Sequence, residues 1–270
     1  MTTPLLRAVN LTKTFPSNQT RARSSAEITA FQNVNLELRA GSTLALVGKS
    51  GSGKSSLALC LALFENATSG EVYFEGVSTA RLGNLELRTL RSQIQLIFQD
   101  PASALNPRLS AIEVVSEPLA IAGVPKAERR HRALSLIERV GITSGSGTRR
   151  SSEFSGGQKQ RLTIARALIL KPKLLILDEA FSALDLSLQI QMCDLLRALQ
   201  GELGLAYLHI THDFDLVERV ANEVAVLSDG HIVDFGPTSR VLKNPRHVCT
   251  EQLTAAMLRM PDWYVAGARS

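Results

Sequence analysis

No stretch of this 270-residue chain is apolar for long enough to cross a bilayer: the longest uninterrupted apolar run, Leu57 to Phe64, has eight residues, against roughly 18 for a spanning helix. The start, Met1-Thr2-Thr3-Pro4, shows no basic region followed by an apolar one, so nothing marks it for export and a cytosolic location is expected. Cysteine is scarce. Cys60, Cys193 and Cys249 form an odd, widely spaced set without a C-x-x-C pair, which argues against a disulfide framework or a zinc site. Internal repeats and low-complexity segments are also absent. A strong excess of one charge is missing too: 30 Lys+Arg against 25 Asp+Glu leaves 30 − 25 = +5, too little to identify a nucleic-acid or membrane partner. With 44% hydrophobic and 20% charged residues, wholesale disorder and fibrous architectures are excluded.

What is present is alternation. Leu5 to Leu38 is strand-like, interrupted by an exposed polar loop from Pro16 to Ala26, and Leu44 to Val47 reads as a short buried strand running into a glycine-rich turn and a helix over Ser55–Phe64. Glu71 to Phe74 and Ile94 to Phe98 read as further strands. Periodicity then turns helical from Pro107 to Val140, and a Gly/Ser/Thr-rich loop over 141–152 precedes a helix over Gly157–Leu170. In the last third, strands at Leu174–Leu177, Ala206–Ile210 and Val224–Leu227 alternate with helices at Ser187–Leu199 and Phe214–Ala221. Parallel strands need crossover helices, so this order predicts an α/β fold with a mostly parallel sheet covered on both faces.

Gly48-Lys49-Ser50-Gly51-Ser52-Gly53-Lys54-Ser55 fits G-x-x-x-x-G-K-[ST] between a strand and a helix. Four fixed positions match by chance in roughly one chain of this length in a hundred. Glycines let consecutive backbone N–H groups converge on phosphate oxygens at a helix N-terminus; Lys54 would reach the β- and γ-phosphates and the Ser55 hydroxyl would ligate Mg²⁺. The apolar run Leu174-Leu175-Ile176-Leu177 ends in Asp178-Glu179. At the carboxyl end of such a strand both acids face the phosphate site: Asp178 suits the Mg²⁺ shell, and Glu179 is placed to orient or deprotonate a water. A second helix start with a hydroxyl and two glycines, Phe154-Ser155-Gly156-Gly157-Gln158, lies 155 − 54 = 101 residues after the loop lysine. One nucleotide does not need two such termini from one subunit. The economical reading is that the second grips a nucleotide held by another subunit.

With these motifs the chain resembles the ATP-binding subunit of ABC transporters over nearly its whole length. Ser155, Gly156, Gly157 and Gln158 match the signature motif, with Phe154 where the family carries Leu; Gln99 matches the Q-loop glutamine, Ser182-Ala183-Leu184-Asp185 the D-loop, and His212 of Thr211-His212-Asp213 the switch histidine. The resemblance implies a P-loop NTPase (RecA-like) core with an N-terminal antiparallel β-subdomain and an inserted α-helical subdomain. It implies one domain over 1–270, with the insertion over about 87–166 and a short C-terminal extension over 236–270. For the site it implies Glu179, His212 and Gln99 as catalytic residues. ATP would be bound by Phe15, stacking on adenine, and by Gly48, Ser50, Gly51, Ser52, Gly53, Lys54, Ser55 and Ser56. Contacts across the dimer would come from Ser155 to Gln158 and Asp185, and Mg²⁺ ligation from Ser55, Gln99 and Asp178.

The cofactors implied are ATP and Mg²⁺. The partners are membrane permease subunits, a second ATP-binding subunit, identical or paralogous, and indirectly an extracytoplasmic solute-binding protein, with no nucleic acid. The location implied is peripheral, on the cytoplasmic side of the cell membrane. Phe98-Gln99-Asp100-Pro101, Ser103-Ala104-Leu105-Asn106-Pro107 and Glu117-Pro118-Leu119 resemble importers of dipeptides, oligopeptides and nickel or metal chelates. Asn244 to Thr250 looks like a divergent copy of a segment near their C-termini, with Val248 and Cys249 in place of Pro and Tyr; the short tail points to the nickel-like or short dipeptide branch. An exporter subunit and a non-transport ATPase of the same superfamily remain open. The 101-residue spacing and the single cassette weigh against repair, chromosome-organising and two-cassette translation ATPases.

Overall fold

The computed structural model describes residues 3–16, 27–98 and 105–255. In chain order, β1 (Leu6–Pro16) and β2 (Glu27–Leu38) lead into β3 (Thr43–Val47), a glycine-rich loop and α1 (Lys54–Leu61). The hairpin of β4 (Ser69–Phe74) and β5 (Val77–Ser78), then α2 (Asn84–Gln93) and β6 (Ile94–Ile97), follow. The helices α3 (Ala111–Ile121), α4 (Lys126–Arg139) and α5 (Gly156–Leu168) come next. β7 (Leu174–Asp178), α6 (Leu186–Leu203), β8 (Ala206–Ile210), α7 (Phe214–Val220) and β9 (Glu223–Ser228) alternate, and β10 (His231–Pro237), α8 (Thr238–Lys243) and α9 (Val248–Ala255) close the described chain.

Two sheets form. β2-β1-β4-β5 is antiparallel; β10-β9-β3-β8-β7-β6 is parallel except for its β9–β10 edge pair. The unbroken apolar run of β7 is explained by its neighbours. Leu174 and Ile176 face a core shared with α1 and the antiparallel sheet, whereas Leu175 and Leu177 face a second core built with α3, α5 and α6. All four are buried, each contributing roughly 1.5–3 kcal/mol relative to exposure. The α/β architecture with a mostly parallel sheet is therefore as expected.

Local chemistry accounts for the differences. The helical span expected over 107–140 is two helices, because Pro125 caps α4 and its ring cannot continue α3. α1 stops at Leu61, three residues short of Phe64; Leu63 adopts a left-handed φ of 61°. β6 lies inside the span expected to be a helical insertion, yet its register Ile94↔Leu174 to Ile97↔Leu177 makes it the edge of the parallel sheet. The helices that pack on one another, α3, α4 and α5, run over 111–168. Elements that the sequence reading does not name also appear: β5, α8 and α9, α2, which buries only Leu90, and β10, whose buried Asp234 is paired with Arg240.

Candidate functional site

The site begins with strand register. Leu46 of β3, Ile210 of β8 and Asp178 of β7 occupy one rung of the parallel sheet. Three neighbouring strands therefore end at one level, and the segments leaving them converge: the loop 48–53 after β3, Thr211-His212 after β8 and Glu179 after β7. Backbone hydrogen bonds lock these exits to the sheet, from Thr211 N–H to the Leu46 carbonyl (3.2 Å) and from Glu179 N–H to the Ile210 carbonyl (2.9 Å). Ligands of doubly wound sheets bind at this carboxyl edge.

The loop is held against neighbouring backbone so closely that two positions exclude any side chain. A Cβ on Gly48 would lie 2.1 Å from the Leu227 carbonyl oxygen, and one on Gly53 would lie 2.1 Å from that of Ala30 in β2. Gly53 also sits at φ 103°, outside the range open to L-residues. From α1, Lys54 folds back into the concavity and is 5% exposed. Its Nζ donates to the carbonyls of Gly48 (2.8 Å) and Lys49 (2.9 Å). Burial pushes the Lys54 ammonium below the ordinary lysine range, and the charges of Glu179 and Asp178 oppose that shift. Ser50, Gly51 and Ser55 are exposed, Gly53 and Ser56 are half-buried, and Ser52 is buried. The Ser52 Oγ has no partner among the described residues.

Asp178 is 8% exposed. Burial raises its carboxyl pKa, a hydrogen bond with the Ser55 side chain works the other way, and Glu179 and Lys54 add smaller opposing effects. One of its oxygens, Oδ1, is buried without a hydrogen-bond partner among the described residues. A hydroxyl and a carboxylate with an unused oxygen form a hard oxygen set that fits Mg²⁺, which takes few protein ligands when phosphates supply others. The described residues hold no cluster of three or more His, Cys, Asp or Glu able to bind a metal alone.

Glu179 turns away from the strand at a left-handed φ of 47°, strain of a kind concentrated at functional sites. Its Oε1 lies 3.6 Å from Nδ1 of His212, whose side chain is 64% exposed against 23% for Glu179. The turn is tied on both sides. The Ser182 hydroxyl donates to the Glu179 carbonyl (2.9 Å), Gln160 Nε2 to the Ala180 carbonyl (3.0 Å) and Gln189 Nε2 to the Phe181 carbonyl (3.1 Å). None of these three ties was legible in the sequence, because a buried glutamine in a helix looks like a surface one.

The second helix start has the expected form. Ser155 caps α5, its Oγ accepting from Gln158 N–H (3.4 Å) while Gln158 Oε1 accepts from Ser155 N–H (3.0 Å). A Cβ on Gly156 would meet nothing within 4 Å, whereas one on Gly157 would press on Leu188 at 3.1 Å. Phe154 is buried under the Arg149 guanidinium, 4.7 Å from the ring centroid. Asp185 is exposed and caps α6, accepting from Leu188 N–H (2.9 Å). Phe15 pairs with Ile28 across the β1–β2 ladder, two residues from the Ala30 carbonyl that contacts the phosphate loop. Its ring is 36% exposed, with Lys13 Nζ 4.8 Å away. Gln99, with Asp100 to Ala104, lies outside the described residues, as do residues 17–26 and 256–270. A cavity of about 590 Å³ between α4, the end of α5 and the α6–β8 junction opens at the amino ends of the strands, away from this chemistry.

Known proteins show the same organisation. The ATP-binding cassette MJ0796, solved as a dimer in a post-hydrolysis state bound to ADP and Pi, is 30% identical with a TM-score of 0.75, over 86% of this chain and 98% of that one. The cbiO1 protein of Clostridium perfringens, part of the transporter complex cbiONQ, is 28% identical with a TM-score of 0.77, over 89% and 91%. The oligopeptide transport ATP-binding protein OppD of Mycobacterium tuberculosis is 43% identical over 87% of this chain, and the glutathione import ATP-binding protein GsiA of Escherichia coli O157:H7 is 44% identical over 94%. The chain spans 38% and 41% of the length of those two relatives. It spans 78% of the dipeptide transport ATP-binding protein DppF of Escherichia coli K12, at 40% identity over 96% of this chain. The family model described as ABC transporter matches residues 31–182, and the chain belongs to the ABC transporter family.

Proposed function

We propose that this chain is the ATP-binding and ATP-hydrolysing subunit of an importer, working as half of a head-to-tail ATP sandwich. The observation that carries the reading is the convergence at the carboxyl edge of the parallel sheet of a buried ammonium, Lys54, and a buried carboxylate, Asp178, with an oxygen unused among the described residues. Neither charge is fully compensated by the protein, and a polyphosphate with its cation compensates both. The backbone of Gly48 to Gly53 and the Lys54 ammonium hold phosphate oxygens, Ser52, Ser55 and Ser56 line the loop, and Phe15 lies against the base. Mg²⁺ fits the Ser55 hydroxyl and the Asp178 carboxylate, with Gln99 as its third partner; when bound it neutralises charge on the phosphate oxygens.

Glu179 orients a water and takes its proton while the water oxygen bonds to the terminal phosphorus and the bond to the bridging oxygen breaks, releasing ADP. His212 steadies the terminal phosphate and, at 3.6 Å, the Glu179 carboxylate. Ser155, Gly156, Gly157, Gln158 and Asp185 contact the nucleotide of the partner subunit; the open space at Gly156 lets the other chain approach. The helices α3 to α5 form the unit that moves and pass the motion to separate membrane subunits. No described helix is long and apolar enough to cross a membrane; in this reading the span belongs to those partners and the chain sits peripherally on the cytoplasmic face. Similarity to OppD, DppF and GsiA favours import of peptides or glutathione-like solutes; nickel or metal-chelate import is the neighbouring alternative.

The test is Glu179→Gln. ATP binding should persist, turnover should fall by about 10²- to 10⁴-fold, the range of a general base, and an ATP-bound dimer should accumulate. Near-normal steady-state ATPase activity overturns the assignment. For direction and solute, uptake of a labelled dipeptide or of glutathione should be lost in cells carrying Lys54→Ala in place of the wild-type chain.

A further inference from the structure

The loop that carries Glu179 is anchored by a helix whose other end has a different task. Gln160 lies on α5, five residues after the Ser155 cap, and is 2% exposed. Its Nε2 donates across to the Ala180 carbonyl at 3.0 Å, a hydrogen bond between buried residues. Ala180 directly follows Glu179, whose own N–H is fixed by Ile210 and whose carbonyl is fixed by Ser182. With both Glu179 peptide groups pinned to the sheet and to its own turn, the Ala180 tie links this turn to α5. A neutral amide suits the task. A lysine or arginine there would bring a charge beside Glu179, and an aliphatic side chain would pack without holding the carbonyl.

We propose that Gln160 is a positioning residue that couples the two nucleotide sites of the dimer. The inference rests on the sandwich reading above. There, the Ser155 end of α5 meets the nucleotide held by the partner subunit, while Glu179 acts on the nucleotide held by this one. Because α5 is a continuous hydrogen-bonded helix of 13 residues, a shift at its N-terminus reaches Gln160 less than two turns later and moves the Ala180 carbonyl with it. Engagement of nucleotide in one site thereby sets the left-handed turn that aims the carboxylate of the other. The two sites fire together because one rigid helix touches both.

The experiment uses the full chain and the variant Gln160→Met, which keeps length and volume and removes the donor. Gln200→Met serves as the comparison: Gln200 Nε2 makes an equivalent tie, to the Leu205 carbonyl and Thr43 Oγ1 (both 3.1 Å), between α6 and the sheet, away from this loop. Both variants should lose thermal stability. Only Gln160→Met should lower kcat at saturating ATP, at least tenfold, and bring the Hill coefficient for ATP down towards 1, while nucleotide affinity and ATP-driven dimerisation, measured in a Glu179→Gln background, stay at the parent level. Unchanged kcat and cooperativity in Gln160→Met, or an equal loss in Gln200→Met, overturn the positioning role and leave the sandwich intact. Failure of the Glu179→Gln protein itself to dimerise with ATP overturns the sandwich and this coupling together. If Gln160→Met does not fold, Gln189→Met, which removes one of the two donors to the next carbonyl of the same turn, must show the same selective loss of kcat or the proposal fails.

Discussion

Replacing Gly53 by Ala tests whether the phosphate loop is shaped by its contact with the antiparallel sheet or only by local backbone freedom. Two costs add. A positive φ of 103° costs an L-residue about 1–2 kcal/mol. The new Cβ would also fall 2.1 Å from the Ala30 oxygen, more than about 1 Å inside a normal carbon–oxygen contact, and overpacking of that kind costs about 1–3 kcal/mol more. Gly51→Ala isolates the first cost, because Gly51 has φ 80° and nothing within 4 Å of an added Cβ. In a domain of this size 1 kcal/mol shifts the melting midpoint by about 2–4 °C. Gly51→Ala should therefore lose roughly 4 °C and Gly53→Ala roughly 10 °C, read by scanning calorimetry. If the loop yields and slides off β2, stability recovers at the expense of binding: a displacement of about 1 Å in a positioned site costs on the order of a hundredfold, visible as weaker nucleotide affinity. Indistinguishable behaviour of the two variants in both assays would refute the reasoning.

Two further perturbations address buried charge. Burial holds the Asp178 carboxyl above the ordinary carboxylate range, so its contribution to stability is full at acid pH and is lost as pH rises through that raised value; at pH 7 the unliganded protein carries the cost. Asp178→Asn should raise the melting midpoint of unliganded protein, by about 1 kcal/mol in stability, and abolish the further rise on adding Mg-ATP; a lowered midpoint would contradict the assignment of cost. His209, buried beside Phe181 with its Nδ1 unpartnered among the described residues, is pushed by burial from 6.5 down to about 4. The unfolded chain binds this proton first, so stability present above pH 6.5 is lost as pH falls through about 4, by up to about 3 kcal/mol at about 1.4 kcal/mol per unit. His209→Phe should flatten the difference between urea midpoints at pH 7.5 and pH 5, and an unchanged pH dependence would show that His209 does not carry it.

The parts legible in the sequence share one property: their chemistry is local. Leu44 to Val47 and Leu174 to Leu177 are unbroken apolar runs because both faces are covered, and the glycines at 48 and 53 follow from a loop that cannot accept a Cβ. Ser155 announces a helix start through its own side chain, and it is a cap. What was hidden depends on distant partners. β10 reads as polar because Asp234 is buried only by virtue of Arg240 and the Arg246 N–H. α2 has one buried residue, too weak an apolar stripe to register. β6 looks separate from the sheet until its pairing with β7 is known. Gln160, Gln189 and the left-handed Glu179 carry no residue-type signal, since the same side chains on a solvated helix would look identical.

These hidden features show why the site is expensive to keep. Lys54 has three donors, and two of them go to carbonyls of its own loop. Asp178 accepts from Ser55 but leaves Oδ1 unused, and the Ser52 hydroxyl lies buried without a partner among the described residues. An unsatisfied buried polar group costs about 1–3 kcal/mol, so the unliganded fold carries several such penalties at one sheet edge while its apolar core absorbs them. A ligand presenting anionic oxygens to Lys54 and Ser52, with a cation for Asp178, removes those penalties on binding instead of merely adding contacts. Its affinity then includes the relief of strain already present in the protein. For the same reason substitutions that satisfy the site internally, Asp178→Asn among them, should stabilise the chain in proportion to what they take from its hold on nucleotide.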